Sequence, residues 1–374
     1  MWISRKQFLK TAAAAPVAWG ALLADAQDAA PKGGTHFSVR RVRLQLRHTW
    51  TISRNSSDFK DNVLACIERD GVGGWGEAAP NVRYGETAEQ TVAALNQAQA
   101  LVEAGDWFHY VEMRAQWERA IPAQACACAA LDMAVLDWVG RRLGVPLYRL
   151  LGLDPRGAAV TSFSIGIDTP EVVREKVKEA AAFPILKIKV GLDNDAAILE
   201  AVRQVTDRPL RVDANEAWKE KEVALEKIHW LQGLGVELIE QPMPAAMLDE
   251  AAWLRDRVDI PIIADEAVQR ASDIPRLAGT CDGINIKLMK AGGIQEAVRM
   301  IHVARALGLK VMLGCMIETS VALSAAAHLT PLVDYADLDG NLLISNDPFS
   351  GVAVEHGRLI LNDRPGLGVS ERRL

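Results

Sequence analysis

The chain has 374 residues, with 42 Lys and Arg against 48 Asp and Glu, a net charge of −6 and a pI near 5.7. That balance, without a long basic run, argues against nucleic acid or an anionic membrane surface as partner. Hydrophobic residues make up 49% of the chain, enough for a large core, and no internal apolar stretch is long and charge-free enough to span a bilayer.

At the N-terminus, Ser4-Arg5-Lys6-Gln7-Phe8-Leu9-Lys10 precedes an Ala-rich apolar stretch from Thr11 to Leu23, and Ala24-Asp25-Ala26 offers a small-residue cleavage site. Residues 1–26 are expected to be a signal peptide. It resembles a twin-arginine signal with Lys6 in place of the second arginine, so the expectation is an exported, periplasmic protein whose route stays open. An amphipathic N-terminal helix is the alternative. Residues 27–35, with Pro31, Gly33 and Gly34, read as a linker.

Residues 36–151 read as an α+β domain. Alternating strands are expected over Val39 to Leu46 and Val63 to Arg69, with a turn at Asp70-Gly71-Val72-Gly73-Gly74 and helices from Thr87 onward. The polar segments Thr51 to Lys60 and Asn81 to Glu86 are expected to be loops, and over a barrel mouth they become candidate lids. The five cysteines, Cys66, Cys126, Cys128, Cys281 and Cys315, have no zinc-ligand spacing and read mainly as small buried hydrophobes, with a disulfide as the lesser alternative. The seven histidines form no ligand spacing either.

From residue 152 the pattern changes. Strand-like apolar runs begin near Ala159, Ile185, Leu210, Glu237, Ile260, Gly283, Lys310 and Tyr335, a repeat of about 25 residues with helix-patterned intervals. Eight such units predict an α/β fold, a (β/α)8 or modified TIM barrel, over residues 152–345 with the N-terminal α+β domain as its cap. Such a barrel uses about 250 residues, so roughly 100 remain for the cap.

Five of these runs end on a charge: Lys187 and Lys189, Asp213, Glu240, Asp265, and Lys287. Side chains at the C-terminal ends of barrel strands face the mouth, where chemistry is done. Asp213, Glu240 and Asp265 close successive strands, and an oxygen-only set suits Mg²⁺, one ion per subunit, rather than zinc. Lys187 and Lys189 share a strand face, so each disfavours protonation of the other, one way to bring a lysine towards about 7 to 8. Lys287 lies across the barrel with Asn285 on its face, whereas Lys290 falls beyond the strand and is expected in a loop or on the surface. Two lysines flanking a metal-bound carboxylate can remove and return an α-proton through an enediolate, with Lys187 and the metal opposing the new negative charge. The expected outcome is inversion at the α-carbon.

The order Lys187-Ile188-Lys189, Asp213-Ala214-Asn215, Glu240-Gln241-Pro242, Asp265-Glu266 and Asn285-Ile286-Lys287 resembles the enolase superfamily, in its muconate-lactonizing subgroup, over essentially the whole mature chain. The resemblance implies a cap built from the N-terminal part and the last residues, here 346–374. It also implies Asp213, Glu240 and Asp265 as Mg²⁺ ligands, Lys189 and Lys287 as the acid/base pair and Lys187 as a carboxylate-facing helper. Gly314-Cys315-Met316-Ile317-Glu318-Thr319 and Ala336-Asp337-Leu338-Asp339-Gly340 resemble the dipeptide epimerases. Asp337 and Asp339 can bind the α-ammonium of a dipeptide whose carboxylate sits on the metal. Ser164 matches a small hydroxyl position of that family, and Cys315, Met316, Arg54 and Tyr84 are further candidate substrate contacts. The family often forms symmetric assemblies, so a homo-oligomer is compatible with the resemblance.

Side-chain preference is open at this level. Relatives that act on Ala-Glu place an arginine at a position that falls near Ser57 here, and Arg54, three residues earlier, resembles a structural loop arginine. Asp58 and Glu86 would instead favour a cationic or neutral side chain. N-acylamino acid racemase, muconate cycloisomerase and o-succinylbenzoate synthase share the metal ligands and lysines, but their substrates need no Asp337 and Asp339. An exported peptide-binding protein without catalysis is the non-enzymatic alternative.

Overall fold

Two long antiparallel strands, β1 (His36–Ile52) and β2 (Asn55–Arg69), form a hairpin to which β3 (Val72–Ala78) adds. The computed structural model describes residues 34–372, so the expected signal peptide and most of the linker lie outside the described residues. Most of the segment from Thr51 to Lys60 is strand rather than the expected loop. Trp50, Thr51 and Ile52 pair with Ser57, Ser56 and Asn55 after a register shift beyond Gln45, leaving Ser53 and Arg54 as the tip. Polar side chains hid this pairing, because a two-stranded ribbon projecting from a core has no buried face to impose hydrophobic alternation.

Three helices cover this sheet. The first, α1 (Ala88–Ala104), begins with a capping box in which Thr87 Oγ1 accepts from Gln90 N and the Gln90 side chain accepts from Thr87 N. After α2 (Tyr110–Ala120), α3 (Ala125–Leu143) is buried on every side from Cys126 to Gly140 and stops at Gly144, whose φ of 72° suits the left-handed cap. Its Ala-rich sequence lets it lie directly on β3. A Cβ at Gly74 or Gly76 would collide with the carbonyls of Ala134 and Ala130, so glycine is what permits this approach.

The barrel strands are β4 (Phe163–Ile165), β5 (Leu186–Lys189), β6 (Leu210–Asp213), β7 (Val236–Glu240), β8 (Ile262–Ala264), β9 (Gly283–Lys287), β10 (Lys310–Gly314) and β11 (Tyr335–Asp337). They are parallel and neighbour one another in sequence order, and a bridge between Thr161 and Ala336 brings the two edges together. Ser162 N donates to Ala336 O at 3.2 Å across the same seam. The first strand starts later than the apolar run beginning near Ala159, because Val160 instead bridges to Arg358. Outer helices such as Pro170–Glu179 bury one stripe, here Val173 and Val177, and Thr169 caps that helix ahead of its proline.

The last residues return to the cap. Phe349 meets Trp75 edge-on with ring centroids 5.0 Å apart, and Leu367 N donates to the buried Asp137 of α3 at 2.7 Å. Cys126, Cys128 and Cys281 are buried, Cys66 and Cys315 are half-buried, and all five are free thiols. Among the described residues no helix is long and apolar enough to cross a membrane.

Candidate active site

The three acids meet at the barrel mouth. Asp213 ends β6 opposite Glu240 at the end of β7, and Asp265 directly follows β8. All three are buried, and one carboxylate oxygen from each lies within 4.8 Å of the others. Their orientations are set by neighbours: Asn215 N donates to Asp213 Oδ1 at 2.9 Å, Asn285 Nδ2 to Glu240 Oε1 at 2.9 Å, and Asp265 N to Gln241 Oε1 at 2.8 Å. Non-glycine residues in left-handed conformations, Asn215 (φ 46°), Glu216 (φ 67°) and Gln241 (φ 36°), closely follow two of the acids, the kind of local strain found where side chains must be aimed. Glu240 Oε2 is buried without a hydrogen bond, with the Lys187 ammonium 2.8 Å away. A converging, oxygen-only set with such an underused atom fits a hard divalent cation.

Four lysines surround these acids. Lys189 Nζ lies 2.5 Å from Asp213 Oδ2, and on the other side of the cluster Lys287 Nζ lies 2.7 Å from Asp265 Oδ2. Lys187 has three acids around it, lying within 2.7 Å of Asp337, 2.8 Å of Glu240 and 3.2 Å of Asp213. Burial opposes its charge, but Asp337, Glu240 and Asp213 together hold its amine well above the usual range. This reverses the expectation from crowding by Lys189, which counted the neighbour on the same strand and not the acids across the barrel. Lys287 is raised in the same way: burial opposes its charge, and Asp265 and Glu240 outweigh it. Among the acids, burial works to raise Asp213, yet Lys189 and Lys187 keep it below the ordinary carboxylate range, while burial and the Asp213 charge push Glu240 up.

Lys290 is a correction. It was expected in a loop or on the surface, but it is fully buried on a short helix (Leu288–Ala291) that continues from β9 across the barrel end. Its Nζ donates to both the carboxylate Oδ1 and the main-chain carbonyl of Asp265, each at 2.5 Å. The helical turn swings the side chain inward, which strand alternation cannot foresee.

Across the mouth, Asp337 accepts from Ser162 Oγ at 2.7 Å and Ser164 Oγ at 3.3 Å, and Asp339 accepts from Ser164 N at 2.6 Å. Both aspartates are buried, and they titrate apart. For Asp337 the Lys187 charge overcomes burial and lowers it, whereas burial and the Asp337 charge push Asp339 up to about 7. Cys315 Sγ lies 3.3 Å from Asp337 O, and Asn81 Nδ2 donates weakly to Met316 Sδ at 3.6 Å.

The cap closes the site into a cleft of about 320 Å³, a size suited to a small ligand. Ser164, Lys187, Lys189, Asp265, Lys287, Cys315, Met316, Asp337 and Asp339 reach it from the barrel, and Arg54 and Tyr84 from the cap. Asp213 and Glu240 lie beneath its surface. Arg54 is bound to the barrel, donating to Asn215 O at 2.8 Å, Glu216 at 2.9 Å and Glu266 at 2.7 Å, so it fastens the hairpin tip beside the acid cluster. Glu86 lines the cleft, is largely buried and accepts from Cys126 N at 3.0 Å, while Asp58 accepts from Thr49 Oγ1 at 2.7 Å. Both acids therefore have partners within the protein. Gln241 was not singled out by sequence; its Oε1 receives Asp265 N and Ala267 N, and its position straight after Glu240 was the only signal.

Comparison with known proteins places these features in context. The mandelate racemase/muconate lactonizing enzyme N-terminal domain matches residues 35–152, and the enolase C-terminal domain-like family matches residues 171–373. An L-Ala-D/L-Glu epimerase of Bacteroides thetaiotaomicron is 44% identical over 379 residues, covering 98% of this chain and 99% of that protein. A dipeptide epimerase from Enterococcus faecalis, solved with Mg and the dipeptide L-Leu-L-Tyr, superposes with a TM-score of 0.83 at 34% identity, covering 90% of this chain and 99% of that one. An N-succinyl Arg/Lys racemase from Bacillus cereus superposes with a TM-score of 0.86 at 28% identity, covering 91% and 95%.

Proposed function

The chain belongs to the enolase superfamily, with a mandelate racemase/muconate lactonizing enzyme N-terminal domain ahead of its barrel, and from that membership we propose that it is a Mg²⁺-dependent dipeptide epimerase. The reaction inverts the α-carbon of the C-terminal residue of a dipeptide such as L-Ala-L-Xaa. The observation that carries this reading is the placement of Lys189 and Lys287 on opposite sides of the buried acid cluster, with Asp337 and Asp339 across the mouth. Relatives named as dipeptide epimerases, and one solved with Mg and a dipeptide, support it.

Asp213, Glu240 and Asp265 would hold Mg²⁺, which would supply positive charge opposite the negative charge that grows on the substrate carboxylate. Lys187 adds a fixed ammonium beside the same acids. One of Lys189 and Lys287, in its neutral form, takes the α-proton from one face. The charge left on the α-carbon spreads into the carboxylate as an enediolate, and the other lysine, starting as an ammonium, delivers a proton to the opposite face. Asp337 and Asp339 orient the substrate by its α-ammonium.

That ammonium separates the rivals. An N-acylated amino acid, the substrate class of N-acylamino acid racemases, has no cation for Asp337 and Asp339, and neither do the substrates of muconate cycloisomerase or o-succinylbenzoate synthase. A pure binding protein would have no use for two flanking lysines. Export to the periplasm through residues 1–26 belongs to the same proposal.

The test is proton NMR in D₂O with Mg²⁺ and a panel of L-Ala-L-Xaa dipeptides. Exchange and inversion at the C-terminal α-carbon, with inversion lost in Lys189→Ala and in Lys287→Ala, would support the reading. Metal binding without exchange on any dipeptide would reject it.

A further inference from the structure

Six cationic side chains line the cleft, and five have acidic partners. Arg41 pairs with Asp61 and Glu89, Arg54 with Glu216 and Glu266, Lys187 and Lys189 with Asp213, and Lys287 with Asp265. Lys60 alone has neither an ion pair nor a hydrogen bond among the described residues. It is half-buried, and burial lowers its amine below the ordinary value with no neighbouring acid to oppose the effect.

Its place in the hairpin shows what it overlooks. Lys60 pairs with Leu44 of β1, and Leu44 packs against Ile317 and Ile344 beyond the barrel strands. Two residues on, and on the same strand face, Asn62 donates to Ile317 O at 3.0 Å. The Lys60 face is therefore the one turned to the barrel, over the turn after β10 where Cys315, Met316 and Ile317 line the cleft. Nearby acids are committed elsewhere. Asp61 lies on the opposite strand face and holds Arg41 and Arg43, Asp58 accepts from Thr49, and Glu86 accepts from Cys126 N.

We infer that Lys60 selects the side chain of the epimerised residue, and that this side chain carries a carboxylate: the substrate class is a dipeptide ending in Glu or Asp. This rests on the dipeptide epimerase reading and adds a third charged point to it. The α-carboxylate goes to the acid cluster and its cation, the α-ammonium to Asp337 and Asp339, and the side-chain carboxylate to Lys60. An ammonium drawn partly out of water gains most from an anionic ligand that restores its lost solvation. A cationic side chain would meet a like charge there, and a neutral one would leave Lys60 unpaired, so discrimination comes from both repulsion and an unmet ion. The other hairpin cations lining the cleft are occupied, Arg54 by Glu216 and Glu266 and Arg41 by Asp61 and Glu89.

The test compares kcat/KM for L-Ala-L-Glu, L-Ala-L-Gln and L-Ala-L-Lys in the wild-type protein, Lys60→Met and Lys60→Glu, each loaded with Mg²⁺. The wild type is expected to favour Glu over Gln by about 10- to 100-fold, the usual worth of a hydrogen bond to a charged group. That ratio should collapse towards one in Lys60→Met and turn in favour of Lys in Lys60→Glu. Because each ratio is taken within one protein, partial loss of folded enzyme cancels. Turnover with equal rates on Glu and Gln, or a ratio unchanged in Lys60→Met, overturns the role of Lys60 and leaves the epimerase reading standing. Absence of α-proton exchange with every dipeptide overturns both.

Discussion

Lys290 binds Asp265 twice, through the carboxylate and the main-chain carbonyl, so one buried ammonium fixes both the position of the residue and the direction of its side chain. Lys290→Met should weaken Mg²⁺ binding by about 10- to 100-fold, as removal of partners that orient metal ligands generally does. Mn²⁺ titration followed by electron paramagnetic resonance reads this without reference to turnover. Lys290→Arg should not restore affinity, because a planar guanidinium is too large for a fully buried point contact. Wild-type affinity in Lys290→Met would refute the assignment.

Lys189 and Lys287 flank the acid cluster from opposite sides, which predicts complementary defects. Each alanine variant should lose about 10²- to 10⁴-fold in epimerisation. In D₂O each should still exchange the α-proton of only one antipode, and the two variants should retain opposite ones. Exchange of both antipodes by either variant would point to a single base.

Asp339, raised to about 7 by burial and by Asp337, is neutral in acid and charged in base. The pull on a substrate ammonium should therefore strengthen as pH rises through about 7, and KM should fall over that interval. Asp339→Asn should flatten this limb of the KM profile and raise KM at pH 8. A wild-type KM independent of pH between 6 and 8 would show that Asp339 does not hold the ammonium.

His328 is buried between the cap and the C-terminal segment and is satisfied as the neutral ring. Its Nδ1 accepts from Tyr148 N and its Nε2–H donates to Leu367 O, each at 3.3 Å. Burial lowers it to about 4. A depressed histidine contributes stability that is full above the unfolded value near 6.5 and is lost as pH falls towards 4. The difference is about 3 kcal/mol. Urea unfolding at pH 7.5 and 4.5 should show less of this loss in His328→Gln than in the wild type.

The residues that meet at the barrel mouth were legible because strand alternation and a repeat of about 25 residues locate strand ends without knowledge of contacts. Asp213, Glu240, Asp265 and Lys287 follow from that pattern alone, and a run that closes on an acid or a lysine is a strong signal. What escaped was set by tertiary geometry. Lys290 is turned inward by a single helical turn, and the high amine of Lys187 comes from acids on three other strands. The hairpin tip looked like a loop because the paired residues of its second strand are Asn55, Ser56 and Ser57, and Lys60 was assigned no role of its own for the same reason. Charge inventories of loops misled as well, since Asp58 and Glu86 have partners within the protein that only the fold reveals.

The cleft has two walls of separate origin: the barrel carries Lys189 and Lys287, and the cap hairpin carries Lys60. On the proposed role of Lys60, a codon change on that hairpin would redirect the choice of substrate and leave Lys189 and Lys287 in place. Selectivity would then change apart from the chemistry, which makes the hairpin the first place to look for divergence among relatives that share this barrel.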